Sequence, residues 1–264
     1  MMRSIMQGKI IKRFGIGLAV AAFWVGVWWI AALAVDQTIL IPTPWHVLQT
    51  LAALVKTATF WKAVLLSLVR ICLGFLAALM AGTVLATITV RYAWLRTLVS
   101  PLLQIVRAAP VASFIILTLV WIATDSVPIF ISFLMVLPIV WVNVEEGLRR
   151  VDLRLKEVAT VYRFGHWKTL TKVTVPSVMP FFLTACVNGL GFAWKSGIAA
   201  EVICLPALSI GRQLHSAKLT LETPEVFAWT VVVVLLSMVL ERLLLQLTTK
   251  FTSFQRKEEH DDNR

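Results

Sequence analysis

The chain has 264 residues, of which 59% are hydrophobic and 15% are charged, and its formal net charge is +11. Because soluble domains carry about 45–50% apolar and about 25% charged residues, this composition excludes a single water-soluble domain and indicates an integral membrane protein. Lys and Arg cluster between the apolar stretches, as in the basic loops of membrane proteins, so the positive charge does not indicate nucleic-acid binding.

Six stretches of the chain are apolar over a length that crosses, or nearly crosses, a bilayer, for which a helix needs about 20 residues. They are residues 14–35, 63–90, 101–123, 127–144, 175–200 and 224–248. The first follows a basic segment, so a cleaved signal peptide is the competing interpretation. Its apolar run exceeds the roughly 7–15 residues of signal peptides, and Trp24, Trp28 and Trp29 suit a membrane interface, which favours a retained helix.

The distribution of basic residues predicts the orientation of these helices. With the N-terminus in the cytoplasm, 19 of the 25 Lys and Arg residues fall in cytoplasmic segments, as the positive-inside rule requires. We therefore predict an all-α integral membrane protein with six transmembrane helices and both termini in the cytoplasm. It consists of a cytoplasmic N-terminal segment (1–13), one transmembrane domain (14–250) and a charged cytoplasmic tail (251–264).

Two external segments predict short interfacial helices. The stretch PTPWHVLQTLAALVKTATFW, from Pro42, has apolar residues at helical spacing after two prolines. The stretch LSIGRQLHSAKLTLETPEVF, Leu208–Phe227, predicts another short helix before the last span.

The polar residues form no catalytic or metal-binding motif in the sequence. Three cysteines and four histidines are scattered without metal-ligand spacing, and the sequence contains no GxxxxGK[ST] phosphate-binding loop. Ion-coupled carriers often hold a carboxylate near the midplane, and this sequence has carboxylates at span ends: Asp36, Asp125, Glu145, Glu201 and Glu225. We expect no catalytic residue, no metal and no cofactor in this chain.

The cytoplasmic segment between the fourth and fifth spans predicts two short helices joined by a turn. Asp152 has the side chain of a helix N-cap, and one stripe of apolar residues follows at helical spacing: Val151, Leu155, Val158 and Tyr162. Gly165 permits a turn, after which a second stripe begins: Trp167, Leu170 and Val173. Pro176 disfavours helix at Val175 and predicts the boundary of the fifth span. Such a pair has almost no core, so its apolar stripe contacts lipid headgroups, the chain's own loops or a soluble partner.

The same segment resembles the EAA loop of the membrane subunits of ABC importers, whose motif is roughly EAA---G---------I-LP. Glu157 and Ala159 match its first and third positions, and Val158 replaces the middle alanine. Counted back from Pro176, the usual glycine falls on Arg163, and a glycine follows two residues later at Gly165.

The resemblance extends over Leu40 to Phe251 and is to importer permeases of the nitrate, sulfonate and taurine type. It rests on five further segments in the order and spacing of that family: LIPTPWHVLQTL, SLVRICLGF, SPLLQIVRAAPVASFIIL, EEGLRRVD and AAEVI. None of these segments is specific alone, and their joint order over some 200 residues carries the resemblance.

This resemblance implies a permease subunit in a bacterial inner membrane, paired with a second and often identical permease. Its EAA loop, about residues 145–174, would dock in a groove of a cytoplasmic ATP-binding subunit that holds ATP and magnesium. An external solute-binding protein would deliver the solute, which stays open among anions such as sulfonates or nitrate and thiamine-like precursors. The candidate coupling residues are Leu155, Glu157, Val158, Ala159, Tyr162, Arg163 and Gly165.

Three charged residues in or near spans are candidates for the translocation path or its gate. Lys195 and Glu201 lie in the small-residue stretch GLGFAWKSGIAAEVI, and Arg70 lies about two turns into the second span. A charge facing lipid costs about 2.5–3.5 kcal/mol, so each of these side chains faces protein, water or a partner, or extends to the headgroups. The other functional interpretations are an ion-coupled carrier acting alone and a membrane scaffold without transport.

Overall fold

The computed structural model describes the backbone of residues 2–261 and the side chains of residues 16–248 except Leu18 and Lys156. Its α-helices in chain order are α1 (Met2–Val35), α2 (Pro44–Leu54), α3 (Ala58–Arg91), α4 (Ala93–Ala108), α5 (Val111–Thr118), α6 (Val127–Arg149), α7 (Leu153–Val161), α8 (His166–Thr169), α9 (Val175–Cys204), α10 (Ile210–Leu219) and α11 (Thr223–Asp261). A π-helical turn, Leu170–Thr174, joins α8 to α9. No strand occurs in this part of the chain, which confirms the all-α prediction.

Four stretches of the described helices are long and apolar enough to span a bilayer: Ala58–Arg91, Val127–Arg149, His166–Cys204 and Thr223–Thr248. The bent pair α4 and α5 is a fifth if it counts as one span. The two predicted interfacial helices are present as α2 and α10. The first predicted span, 14–35, lies within α1. The apolar stretch of this helix, Ala19–Val35, is shorter than a span, and side chains before residue 16 are not described. A sixth crossing therefore stays a prediction.

The third span is broken, and its prediction as one helix over 101–123 is wrong. Helices α4 and α5 meet at 104°, with Ala109 extended (φ −78°, ψ 144°) between them. Pro110 explains the break, because its ring disfavours the helical conformation of the preceding residue.

The predicted helix boundary at Val175 is also wrong. Val175 is helical (φ −61°, ψ −48°), and its N–H donates to the carbonyl of Leu170, five residues back. Pro176 lacks an N–H, and in a regular helix its ring would press on the carbonyl of Lys172. The wider π turn just before it accommodates the proline, so α8, the π turn and α9 form one continuous helix of 39 residues.

The chain forms two compact units, Met1–Trp61 with Gln213–Val232, and Lys62–Arg212 with Val233–Arg264. In the first unit, aromatic rings join the helices: Trp28 stacks on Phe227 with centroids 5.6 Å apart, and Phe60 stacks on Trp229 at 5.0 Å.

In the second unit, α6 and α9 form the most extensive helix pair, and α3 packs on both. Gly197 of α9 lies so close to its neighbours that a Cβ there would be 2.5 Å from Cγ1 of Ile71 and 2.7 Å from Oγ of Ser132. The sequence predicts that small residues in this stretch let helices approach closely. The packing around Gly197 requires such a residue.

We expect Gly197→Ala to lower the free energy of unfolding by about 1–3 kcal/mol, because the added methyl group overpacks the contact of α3, α6 and α9. The measurement is the thermal unfolding midpoint of the detergent-purified protein. Gly26→Ala is the matched control, since nothing lies within 4 Å of a Cβ at residue 26 and Ala favours helix by about 1 kcal/mol. Equal midpoints for the two variants would contradict the packing argument.

Candidate functional site

The segment between α6 and α9, residues 150–174, is called the loop segment below. Its first helix, α7, begins after Asp152, whose carboxylate accepts a hydrogen bond from the N–H of Arg154 at 2.8 Å. Asp152 is therefore the N-cap, as predicted. The end of the spans that carries this segment is called the loop end.

The loop segment has a small apolar core. Val151, Ala159 and Val173 are buried, and Phe164 and Val178 pack against them. Ala159, the third residue of the EAA-like motif, is only 2% exposed, so a small side chain here lets α7 pack against the start of the long helix. The four residues of the predicted apolar stripe do not share one environment. Val151 is buried, whereas Leu155, Val158 and Tyr162 are exposed.

Arg163, and not Gly165, forms the left-handed turn that ends α7. Its φ is 51°, its N–H donates to the carbonyl of Thr160 at 3.0 Å, and the next N–H, of Phe164, donates to the carbonyl of Ala159 at 2.8 Å. This pair of bonds is the Schellman motif, whose left-handed position usually holds glycine. Gly165 has an ordinary φ of −64° and begins α8. The prediction of Gly165 as the turn residue is wrong, and the turn lies where the EAA motif has its glycine.

An apolar surface covers the outer side of the loop segment and is called the loop surface below. Its exposed members are Leu153, Leu155, Val158, Val161, Tyr162 and Trp167. Tyr162 and Trp167 are 72% and 77% exposed, and Glu157 is exposed on the same helix. Contiguous exposed apolar side chains of this kind indicate contact with a partner or with lipid.

At the loop end, a buried carboxylate fixes α4 to α6. Glu145 is 5% exposed, and its Oε1 lies 2.5 Å from Nε of Arg96 and 2.9 Å from Nη2 of Arg149. Two guanidinium groups therefore contact one carboxylate near the start of the loop segment, and these three charges sum to +1.

At the opposite end of the spans, Arg70 of α3 joins two connections of the chain. Its Nη2 donates to Oδ1 of Asp125 and to the carbonyl of Ala207, both at 3.0 Å. The N–H of Ala207 donates to the same Asp125 oxygen at 3.1 Å. The side chain of Arg70 is 12% exposed, so Arg70 pairs within the protein and does not extend to the headgroups.

Glu201 of α9 belongs to the same network. Its Oε2 accepts hydrogen bonds from Oγ of Ser67 at 2.7 Å and from the N–H of Gly211 at 3.2 Å, and its Oε1 lies 3.8 Å from Nη1 of Arg70. Glu201 is fully buried. A Cβ at residue 211 would lie 2.4 Å from that of Glu201, so glycine is required for this approach.

Lys195 lies apart from Glu201, although the sequence interpretation placed them together. Lys195 is exposed on another face of α9, where it lines a cavity of about 660 Å³ with Arg107, Asn188 and Glu241. The sequence interpretation did not consider Glu241, which lies inside the sixth predicted span. A search for carboxylates within every span would have found it.

Several apolar helices long enough to span a bilayer, with an exposed helical segment between two of them, define the class of polytopic membrane proteins. Residues 71–252 match the family of binding-protein-dependent transport system inner membrane components. The chain belongs to this family, and it is a membrane-spanning permease subunit of an ABC importer. The family works with an ATP-binding subunit and a solute-binding protein, so a carrier acting alone is not favoured.

Relatives agree with this membership, and a solved structure shares the fold. The chain is 28% identical over 244 residues to an ABC transporter permease of Brucella abortus (strain 2308), covering 92% of this chain and 97% of that protein. It is 27% identical over 226 residues to the aliphatic sulfonates transport permease SsuC of Bacillus subtilis (strain 168), covering 84% and 81%. Its fold is similar to a crystal structure of an amino acid ABC transporter with histidines, with a TM-score of 0.60, 17% identity, and coverage of 76% of this chain and 96% of that one.

We expect Arg163→Gly to stabilise the end of α7 by about 1 kcal/mol, because glycine adopts the left-handed conformation without the cost of a Cβ. Hydrogen–deuterium exchange of the amides of Arg163 and Phe164 should then slow by about fivefold. Gly165→Ala is the control, since its φ is ordinary and nothing surrounds its Cβ position. Slower exchange in the control alone would place the strained residue at 165.

We expect Glu201→Ala to lower the free energy of unfolding by about 3–5 kcal/mol, because it leaves the donors of Ser67, Gly211 and Arg70 buried without their acceptor. Glu146→Ala is the control, as it removes a carboxylate whose ion pair with Arg150 is largely solvent-exposed and contributes about 0–1 kcal/mol. Thermal unfolding of the two purified variants makes the comparison, and an equal loss would contradict a structural role for the buried network.

Proposed function

We propose that this permease pairs with a second copy of itself and moves a small solute from an external binding protein into a bacterial cytoplasm. In this proposal both termini are cytoplasmic, in keeping with the 19 of 25 basic residues that fall on that side. The chain itself carries out no catalysis. The partner ATPase binds ATP and magnesium, and the loop end faces that subunit.

The observation that carries the proposal is the loop surface and its attachment to a span. Exposed Tyr and Trp side chains are typical of residues that dominate protein–protein affinity, and Tyr162 and Trp167 are both largely exposed. Lipid headgroups are the competing contact for this surface. Arg154, Lys168 and Lys172 are exposed in the same segment, so basic side chains are available to either contact.

The coupling residues divide into two groups in this proposal. Leu155, Glu157, Val158 and Tyr162 contact the ATPase, since they lie on the outer side of α7. Ala159 and Arg163 instead hold α7 in place, through the small core and the turn, and Gly165 begins the helix that leads into α9. Movement of the ATPase groove then reaches the membrane through the continuous helix His166–Cys204.

We expect Tyr162→Ala to reduce co-purification of the ATP-binding subunit with the tagged permease by about tenfold or more, because it removes a side chain of the kind that dominates interfaces. Trp121→Ala is the control, since Trp121 is equally exposed (74%) but lies between α5 and α6, at the opposite end. The measurement is quantitative mass spectrometry of the complex purified from cells that encode both subunits.

The lipid alternative predicts a different pair of results. Tyr162→Ala would then retain the ATPase like the unaltered protein, and brominated lipids would quench the fluorescence of Trp167 in the assembled complex. That outcome would reject the coupling role of the loop surface.

A further inference from the structure

We infer that the cavity between α4 and α6 at the loop end binds the phosphate group of a membrane phospholipid, with a preference for an anionic one. This cavity is called the α4–α6 cavity. It measures about 210 Å³, and its polar lining includes Arg96, Ser100, Gln104, Arg107, Glu145 and Arg149. The lipid is distinct from the transported solute, so this site is independent of the proposed function.

The cavity is built on one face of α4. Four polar residues of this helix recur at helical spacing, and all of them line the cavity: Arg96, Ser100, Gln104 and Arg107. The opposite face carries Leu98 and Ile105, which are both exposed. Because α4 separates polar from apolar side chains in this way, it has the pattern of a helix that contacts both headgroups and acyl chains.

Aromatic side chains place the Arg96 end of the cavity at the depth of the lipid headgroups. Tyr92 and Trp94 lie where α3 gives way to α4, and both are exposed. Exposed Tyr and Trp residues of membrane proteins are enriched at the membrane–water interface. Arg96 follows Trp94 by two residues, so its guanidinium group lies within reach of a headgroup.

Polarity changes along the cavity in the order that a phospholipid requires. Helix α4 begins and α6 ends at the loop end, so Arg96 and Arg149 line the part of the cavity nearest the interface. Leu103 and Val142 line it about two turns farther along the same helices. A charged head therefore meets arginines, and the chain attached to it meets apolar side chains.

The arginines keep hydrogen-bond donors that the protein does not use. A guanidinium group has five N–H donors, and the side chains of Arg96 and Arg149 stay 50% and 46% exposed although both contact Oε1 of Glu145. The buried carboxylate thus holds two guanidinium groups beside each other. Arg107 takes part in none of the ion pairs found among the described side chains, and helical side chains tilt toward the helix N-terminus, which brings it toward Arg96.

The charge and the donor type favour phosphate. Glu146 is held by Arg150 at 2.6 Å, so the three arginines of the lining face Glu145 alone, an excess of two positive charges. Planar guanidinium groups bind phosphate oxygens in pairs, and basic pockets between membrane helices bind anionic headgroups. A zwitterionic lipid offers the same phosphate but adds a cation, which this excess repels.

The test is native mass spectrometry of the purified full-length permease, titrated with phosphatidylglycerol or with phosphatidylcholine of the same acyl chains. We expect one phosphatidylglycerol to bind saturably, with an apparent dissociation constant at least about fivefold lower than that of phosphatidylcholine. Arg107→Met should raise the constant for phosphatidylglycerol about fivefold or more, since it removes one attractive charge near the membrane surface. Arg91→Met is the control, because Arg91 is exposed at the same end without lining the cavity.

Two variants of nearly equal shape separate the charge of the cavity from its packing. Ser100 lines the cavity and accepts a hydrogen bond from Nε2 of Gln104 at 3.2 Å, which both Asn and Asp can also accept. Ser100→Asp adds a negative charge and should abolish the preference for phosphatidylglycerol, whereas Ser100→Asn should retain it. An equal loss in the two variants would contradict the anion site.

A soluble phosphate is the other source of the same chemistry. Inorganic phosphate in large excess should not displace phosphatidylglycerol, because it lacks the acyl chains. Displacement would assign the cavity to a soluble ligand and overturn the lipid source. Equal constants for the two lipids, or an unchanged constant in Arg107→Met, would overturn the inference as a whole. The importer proposal is tested separately, by co-purification of the ATPase.

Discussion

Gly197 lets α9 lie against α3 and α6 at a distance that a Cβ atom would not permit, and the other functional features are built on this contact. One end of α9 continues through the π turn into the loop segment. The other end holds Glu201 in hydrogen bonds with Ser67 and Gly211. The face of α9 that carries Lys195 stays outside the contact. Close packing on one side therefore leaves the other side of α9 to line a cavity of about 660 Å³.

Charged groups inside a bilayer need partners, because no water is present to solvate them. At the two ends of the second unit this requirement is met within the chain, by Glu145 with its two arginines and by Arg70 with Asp125. Between those ends, Lys195, Arg107 and Glu241 line a cavity of about 660 Å³ instead, so these three charges do not fix helices in place as the paired ones do.

The sequence predicts four of the six spans as continuous helices, because apolar length is a local property, and it predicts the N-cap Asp152 for the same reason. The two prolines show where local rules stop. Pro110 ends a helix, as its effect on the preceding residue requires, although the sequence interpretation placed one span through it. Pro176 does not end a helix, because a π turn upstream accommodates its missing hydrogen bond. Whether a π turn forms there depends on how the loop segment packs, and no local sequence pattern predicts that packing.

The candidate site shows the same division between local and tertiary information. The left-handed turn falls on Arg163 because the hydrogen bonds that form it are accepted by carbonyls in the last turn of α7. The glycine two residues later does not change that position. Lys195 and Glu201 are six residues apart, which is about 600° around a helix, so helical geometry alone separates them onto different faces. Lys195 instead lines a cavity with Glu241, and Glu201 lies against Arg70. These neighbours come from distant parts of the chain and needed the fold to be found.

Attachment of the loop segment to a long membrane helix offers a physical account of the proposed coupling. The continuous helix His166–Cys204 is about 58 Å long at 1.5 Å per residue, so a small tilt imposed at the loop surface displaces its distant residues. Lys195 moves with this helix, whereas Arg107 belongs to α4 and Glu241 to α11. A tilt would therefore change the spacing of these three charges, which line one cavity. A transporter needs a difference of this kind between its states, because a ligand held equally in both is not released by the change of state.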